Sequence, residues 1–115
     1  MTTVLIVDDH PSFRATARAL LEAEGFDVVG EAKDGAQALS AVPQLEPDVV
    51  LLDVQLPDTD GFAVAAHLTA GGDGPAVILT SSRDGSDFGP LVADCGARGF
   101  VPKAELSGAA LAALL

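Results

Sequence analysis

Three short, unbroken aliphatic runs constrain this chain most: VLIV at 4–7, VVLL at 49–52 and AVIL at 76–79. Each is rich in β-branched residues and lacks the polar alternation of a half-exposed strand, so each predicts a strand covered on both faces. Each run also stops on residues that carry chemistry. Asp8 and Asp9 follow the first, Asp53 the second, and Thr80 with Ser81 the third.

Helical segments lie between the runs. After Pro11, the stretch SFRATARALLEAEG places Phe13, Ala17, Leu20, Leu21 and Glu24 at helical spacing, with Gly25 as a C-terminal stop. Pro11 suits the first helical turn, where a missing N–H costs nothing. Asp27 to Ala32 reads as an edge strand. Asp34 caps a helix running from Gly35 towards Leu45 and interrupted at Pro43. Asp60 caps a third helix over Phe62 to Leu68, followed by the connector AGGDGP. RGFV at 98–101 predicts a fifth strand, and Ser107 caps a last helix cut short by the end of the sequence. The least ordered stretch is expected at SRDGSDFGP, 82–90, where Gly85, Gly89 and Pro90 shorten or delay the fourth helix. This alternation predicts an α/β fold: a five-stranded parallel sheet of order 2-1-3-4-5, doubly wound and flavodoxin-like, with helices on both faces. One domain over 1–115 accounts for the whole sequence.

Composition narrows the function. Seventeen acids against six bases give a formal charge of −11, a field that repels nucleic acid, so direct binding to DNA or RNA is not expected. No apolar run approaches the length of a membrane span or a signal-peptide core, and the lone Cys95 forms no internal disulfide, so a cytoplasmic location is expected. Cys95 is read as a small buried apolar residue.

In a parallel sheet, residues that follow the strands meet along one edge. Asp8, Asp9, Asp53, Thr80, Ser81 and Lys103, just past the fifth strand, thereby converge on the crevice at the switch point between strands one and three. Clustered carboxylates repel one another unless a cation is present, and oxygen donors without a cysteine or a histidine pair favour Mg²⁺. His10 is read as a loop residue at the pocket mouth and His67 as part of a partly exposed helix face, neither with ligand spacing. Asp53 at its strand end suits in-line attack on a phosphodonor, with Thr80 and Lys103 receiving phosphoryl oxygens.

The segments VLIVDDHP, VVLLDVQLPDTDG, VILTSS and GFVPKAEL, in this order and spacing, resemble the receiver domain of two-component response regulators over essentially the full chain. The opening and closing segments most resemble regulators whose output is a helix-turn-helix domain. The resemblance implies Asp53 as phosphoacceptor and Asp8 and Asp9 as the acidic metal pocket, with the backbone carbonyl of Gln55 as a further ligand. It also implies that Thr80 reads the phosphoryl group, that Lys103 pairs with it, and that Phe100 changes rotamer on activation. The implied partners are a sensor histidine kinase as donor and an output domain, fused or separate; a phosphorylation-dependent homodimer is compatible with it. Such a domain catalyses only its own phosphorylation and dephosphorylation and is not otherwise an enzyme. An interaction module of the same shape that works without phosphorylation stands as the alternative. A phosphohydrolase is disfavoured, because Gln55 stands where that class needs a second carboxylate as general acid and base. A flavin-binding fold is disfavoured too, because two acids replace a phosphate-cradling loop.

Overall fold

A computed structural model of the chain describes residues 1–82 and 88–115. The strands are β1 (Thr3–Val7), β2 (Asp27–Ala32), β3 (Val49–Asp53), β4 (Ala76–Ser81) and β5 (Gly99–Pro102). The helices are α1 (Pro11–Ala23), α2 (Gly35–Leu45), α3 (Gly61–Thr69), α4 (Leu91–Asp94) and α5 (Gly108–Ala112), and a 3-10 turn spans Lys103–Glu105. All strand pairs are parallel and the order is β2-β1-β3-β4-β5, as the strand–helix alternation predicts.

The aliphatic runs form the buried centre of the sheet, and alternate residues of each strand face opposite ways. Leu5, Val7, Val50, Leu52, Val77 and Leu79 pack against α2, α3 and α4. Val4, Ile6, Val49, Leu51 and Ile78 pack against Ala17 and Leu21 of α1 and Leu111 of α5. Burial on both faces explains why these strands need no polar alternation. Cys95 is buried, its Sγ donating to the carbonyl of Val92 at 3.2 Å. Among the described residues no helix is long and apolar enough to cross a membrane.

Helix starts follow their caps. Asp34 accepts from the amide of Gln37, Asp60 from that of Ala63, and Ser107 from that of Ala110. Gly25 closes α1 with φ 95°, a left-handed conformation that favours glycine. Pro43 does not interrupt α2, contrary to expectation: the helix continues to Leu45, and Glu46 N–H donates to Val42 at 2.8 Å. So close to the C-terminal end, the proline forfeits one ladder bond and the helix needs only a few residues more. The fourth helix is short, beginning at Leu91 after Gly89 and Pro90. The expectation of poor order at 82–90 falls mainly on residues 83–87, outside the described residues.

One glycine is fixed by a close approach. Gly61 opens α3 against the end of β3, its amide donating to Val54 at 2.7 Å. A Cβ there would meet the backbone carbonyl oxygen of Asp53 and lie 2.9 Å from the Cα of Val54. Backbone cannot swing aside as a side-chain tip can. Gly61→Ala should therefore lower the free energy of urea unfolding by about 1–3 kcal/mol. A loss below about 0.5 kcal/mol would show that the turn relaxes freely.

Candidate functional site

The C-terminal ends of β1 and β3 are neighbours, so Asp8 and Asp53 share one crevice. Both are nearly inaccessible to solvent, unlike Asp9 beside them. Asp8 and Asp9 do not cap α1: its N-cap is His10, whose side chain makes no capping bond. The acids are thus free of the commonest structural role for such a pair.

Lys103 reaches in from the far end of β5. Its Nζ lies 2.6 Å from Asp8 Oδ2 and 3.3 Å from Asp53 Oδ2, and 4.4 Å from the ring centroid of Phe13 on α1. One ammonium thus answers two buried carboxylates, with an aromatic face behind it. The amide of Gln55 donates to Asp53 Oδ1 at 3.1 Å, and Gln55 itself pairs with Asp60 in an isolated bridge. That bridge and the Gly61 approach hold the loop after Asp53 in a tight turn.

The two buried acids diverge electrostatically. Burial drives Asp53 above the ordinary carboxylate value and the Asp8 charge adds to this, against the opposing pull of the Gln55 amide and Lys103. Burial acts on Asp8 in the same sense, but Lys103 and the amide and ring of His10 outweigh it and hold Asp8 below the ordinary value. The pair is an ion-paired acid beside a more reluctant one, a pattern characteristic of functional sites.

Sequence spacing did not show how His10 is turned. Its amide donates to Asp8 Oδ1 at 2.8 Å, and its Nδ1 lies 2.9 Å from that oxygen and 3.2 Å from Asp9 Oδ1. Ligand atoms of Asp8, Asp9, His10 and Asp53 all fall within 4.8 Å of one another. Carboxylate oxygens dominate this set, which suits a hard divalent cation. The neighbourhood of His10 to two acids was visible in the sequence, but the turn of its ring towards them was not.

Thr80 pairs with Asp53 in the β3–β4 register, yet the hydrogen bond its hydroxyl donates goes to β5 and not to Asp53. Thr80 is buried and donates to the carbonyl of Val101 on β5 at 2.7 Å. Phe100, beside Val101, is partly buried and packs on Phe88 with centroids 5.6 Å apart, and Phe88 packs on Phe62 at 5.5 Å. This chain of rings was also absent from the sequence reading. Asp58 supplies a further link, its carboxylate accepting from the amides of Gly35 at 2.9 Å and Ala36 at 3.0 Å. Those bonds, the Gly35 amide foremost, hold its carboxyl below the ordinary value and tie the loop after Asp53 to the start of α2.

Comparison with known proteins gives the same architecture a family. A model described as response regulator receiver domain matches residues 4–114. A transcriptional regulator of Pseudomonas aeruginosa is 42% identical over 105 residues, covering 91% of this chain and 51% of that protein. The positive transcription regulator BvgA of Bordetella pertussis is 39% identical over 102 residues, covering 89% of this chain and 49% of its own length. The chain therefore spans about half the length of these curated relatives. Among solved structures, the signal receiver domain of the response regulator NarL from Mycobacterium tuberculosis superposes with a TM-score of 0.87 at 36% identity, covering 98% of this chain and 95% of that one. With the parallel five-stranded sheet and the acidic crevice at its switch point, these matches establish that the chain belongs to the receiver-domain family of two-component response regulators.

Proposed function

We propose that this receiver domain takes a phosphoryl group on Asp53 from a phosphohistidine of a sensor kinase, in the presence of Mg²⁺, and changes conformation to control an output. The observation that carries this reading is the Lys103 ammonium set between the buried carboxylates of Asp8 and Asp53. In the transfer, an Asp53 oxygen forms a bond to phosphorus as the phosphorus–nitrogen bond of the donor breaks, and the leaving imidazole takes up a proton. Mg²⁺, when bound, neutralises phosphoryl oxygens in the pocket. Asp8 and Asp9, with Asp53 and the Gln55 carbonyl, are the residues that would hold it. Lys103 exchanges its contact with Asp53 for one with a phosphoryl oxygen, so positioning and charge carry the reaction.

Thr80 couples the site to the sheet edge. For its hydroxyl to reach a phosphoryl oxygen it must release the carbonyl of Val101, which frees β5 next to Phe100. Phe100 then leaves its packing on Phe88, and the rearranged edge is what an output domain or a second copy reads. The interaction-module alternative gains nothing from an ammonium held between two buried acids.

Intact-mass measurement after incubation with Mg²⁺ and a small acyl phosphate should show one added phosphoryl group on the wild type and none on Asp53→Ala. An unmodified wild type, or equal labelling of the variant, would sink the proposal. Thr80→Val should still accept the phosphoryl group but fail to shift the β5 amide resonances on phosphorylation. It should also cost about 1–3 kcal/mol of stability by leaving the buried Val101 carbonyl unsatisfied. A full set of shifts in the variant would remove Thr80 from the switch.

The raised Asp53 carboxyl gives a signed pH dependence. Its charged form is disfavoured in the folded protein, so stability falls as pH rises from the ordinary value of 3.8 through the higher folded value. Asp8, held low, works in the opposite sense: its contribution is present above the ordinary value and is lost as pH falls through the folded one. Without metal, Asp53→Asn should therefore exceed the wild type in urea midpoint at neutral pH, and the gap should close on acidification below the ordinary value. Added Mg²⁺ should narrow the gap at neutral pH by binding the folded wild type. A gap independent of both pH and Mg²⁺ would contradict this account of Asp53.

A further inference from the structure

His10 lies at the crevice, and the proposed function gives it no task. It occupies the N-cap position of α1 without capping it, so its ring is not committed to the helix. The ring is 63% exposed and is not held there by packing into the core. Its Nδ1 nevertheless faces two carboxylate oxygens, Asp8 Oδ1 at 2.9 Å and Asp9 Oδ1 at 3.2 Å. The backbone contributes to this placement, since the His10 amide is anchored on the same Asp8 oxygen at 2.8 Å.

Those separations have a meaning for coordination. Around an octahedral ion with bonds of about 2.1 Å, adjacent donor atoms lie about 3.0 Å apart. Nδ1 is spaced from each of the two oxygens as one corner of such a shell is from the next, and a ligand atom of Asp53 lies within 4.8 Å of the others. An ion would sit beside the line from Nδ1 to the Asp8 oxygen rather than on it, so coordination requires the ring to turn its nitrogen off the carboxylate, which the exposure of His10 permits. The donor set is then mixed, carboxylate oxygen with one imidazole nitrogen. Mg²⁺ gains little from the nitrogen, whereas Mn²⁺ and the later first-row ions gain progressively more.

We propose that His10 Nδ1 is a direct ligand of divalent transition ions in this pocket, and that it tilts the selectivity of the site from Mg²⁺ towards Mn²⁺ and its successors. The inference rests on the metal pocket proposed above and adds to it a nitrogen donor and a preference among ions. The competing role for His10 is a hydrogen bond that merely orients Asp8 and Asp9 from outside the coordination shell. A directly coupled nitrogen distinguishes the two, because only a coordinated imidazole transfers spin density to its bound nitrogen.

The probe is Mn²⁺ alone, titrated into the purified chain and followed by electron paramagnetic resonance. Pulsed measurements on the bound ion should show coupling to one ¹⁴N nucleus in the wild type and none in His10→Ala. His67→Ala should retain it, which matters because the chain has two histidines and His67 lies exposed on α3. Mn²⁺ affinity should fall about tenfold in His10→Ala, while Mg²⁺ affinity, measured by competition, should change by less than about twofold. A urea midpoint of His10→Ala close to that of the wild type would assign the loss to the ligand rather than to the fold. Mn²⁺ that binds the wild type and is weakened by Asp53→Asn, but shows no ¹⁴N coupling, would overturn the inference and leave the metal pocket standing. Equal loss of Mn²⁺ and Mg²⁺ in His10→Ala would likewise overturn it, in favour of an orienting role. No binding of either ion to the wild type would bring down the pocket and the inference together.

Discussion

Two carboxylates buried side by side at the end of a parallel sheet are tolerable only when something positive sits between them. Parallel pairing of β1 with β3 brings Asp8 next to Asp53, and the aliphatic strands behind them leave little water to share the charge. The remedy is Lys103, delivered from the far side of the sheet by β5. Much of the local architecture serves this arrangement. The amides of His10 and Gln55 each occupy one oxygen of the two acids, and the ring of Phe13 backs the ammonium. Buried ion pairs seldom repay their desolvation with net stability, so one assembled from two strand ends and a distant lysine is better explained by binding than by folding.

The same edge carries the path by which the site can act at a distance. In the proposed function Thr80 is the pivot, since its hydroxyl has one proton to donate and now gives it to Val101. Phosphoryl contacts from Thr80 and Lys103, at about 1.5–3 kcal/mol each, offer roughly 3–6 kcal/mol towards a second conformation. Against this stand the Val101 hydrogen bond, about 1 kcal/mol net, and the Phe100–Phe88 contact, about 0.5–1.5 kcal/mol. What remains is generally short of the roughly 5.5 kcal/mol that would carry a population from 1:99 to 99:1. The domain by itself is thus suited to biasing an equilibrium that a partner surface completes.

The fold was legible because its determinants are local. Unbroken aliphatic runs, Asp34, Asp60 and Ser107 as caps, and Gly25 as a stop each act within a few residues, and the sheet order follows from their alternation. The convergence of Asp8, Asp9, Asp53 and Lys103 was legible for a related reason: parallel strands bring their ends to one edge whatever lies between them. Rotamers and long-range side-chain contacts escaped. Thr80 was placed at the correct strand end, but spacing says nothing about whether its hydroxyl faces Asp53 or β5. His10 was read as a loop residue at the pocket mouth, and one histidine has no spacing that could show its Nδ1 turned towards Asp8 and Asp9. Asp58 bonds to amides 22 and 23 residues away, and Phe62, Phe88 and Phe100 meet from separate stretches of the chain, which no local pattern encodes. Pro43 was over-read: a helix-breaking residue placed near a helix end has little left to break.

Charge counting imposes an order of events on the proposed function. Asp8, Asp9 and Asp53 against Lys103 leave the crevice with an excess of two negative charges, within a chain that is itself strongly acidic. An approaching phosphodonor, also anionic, meets repulsion from both. A divalent cation held by the acids would remove the local excess, and its occupation of them before the donor arrives would ease the encounter. Transfer then converts the single charge of Asp53 into the roughly doubled charge of a phosphoryl group, and the crevice becomes negative again by about one unit. Lys103 is already engaged, and the Thr80 hydroxyl is the nearest donor in the strand register that is committed elsewhere. The returning negative charge is therefore what can draw Thr80 away from Val101. On this account the electrostatic deficit created by the chemistry is itself the force that moves the edge of the sheet.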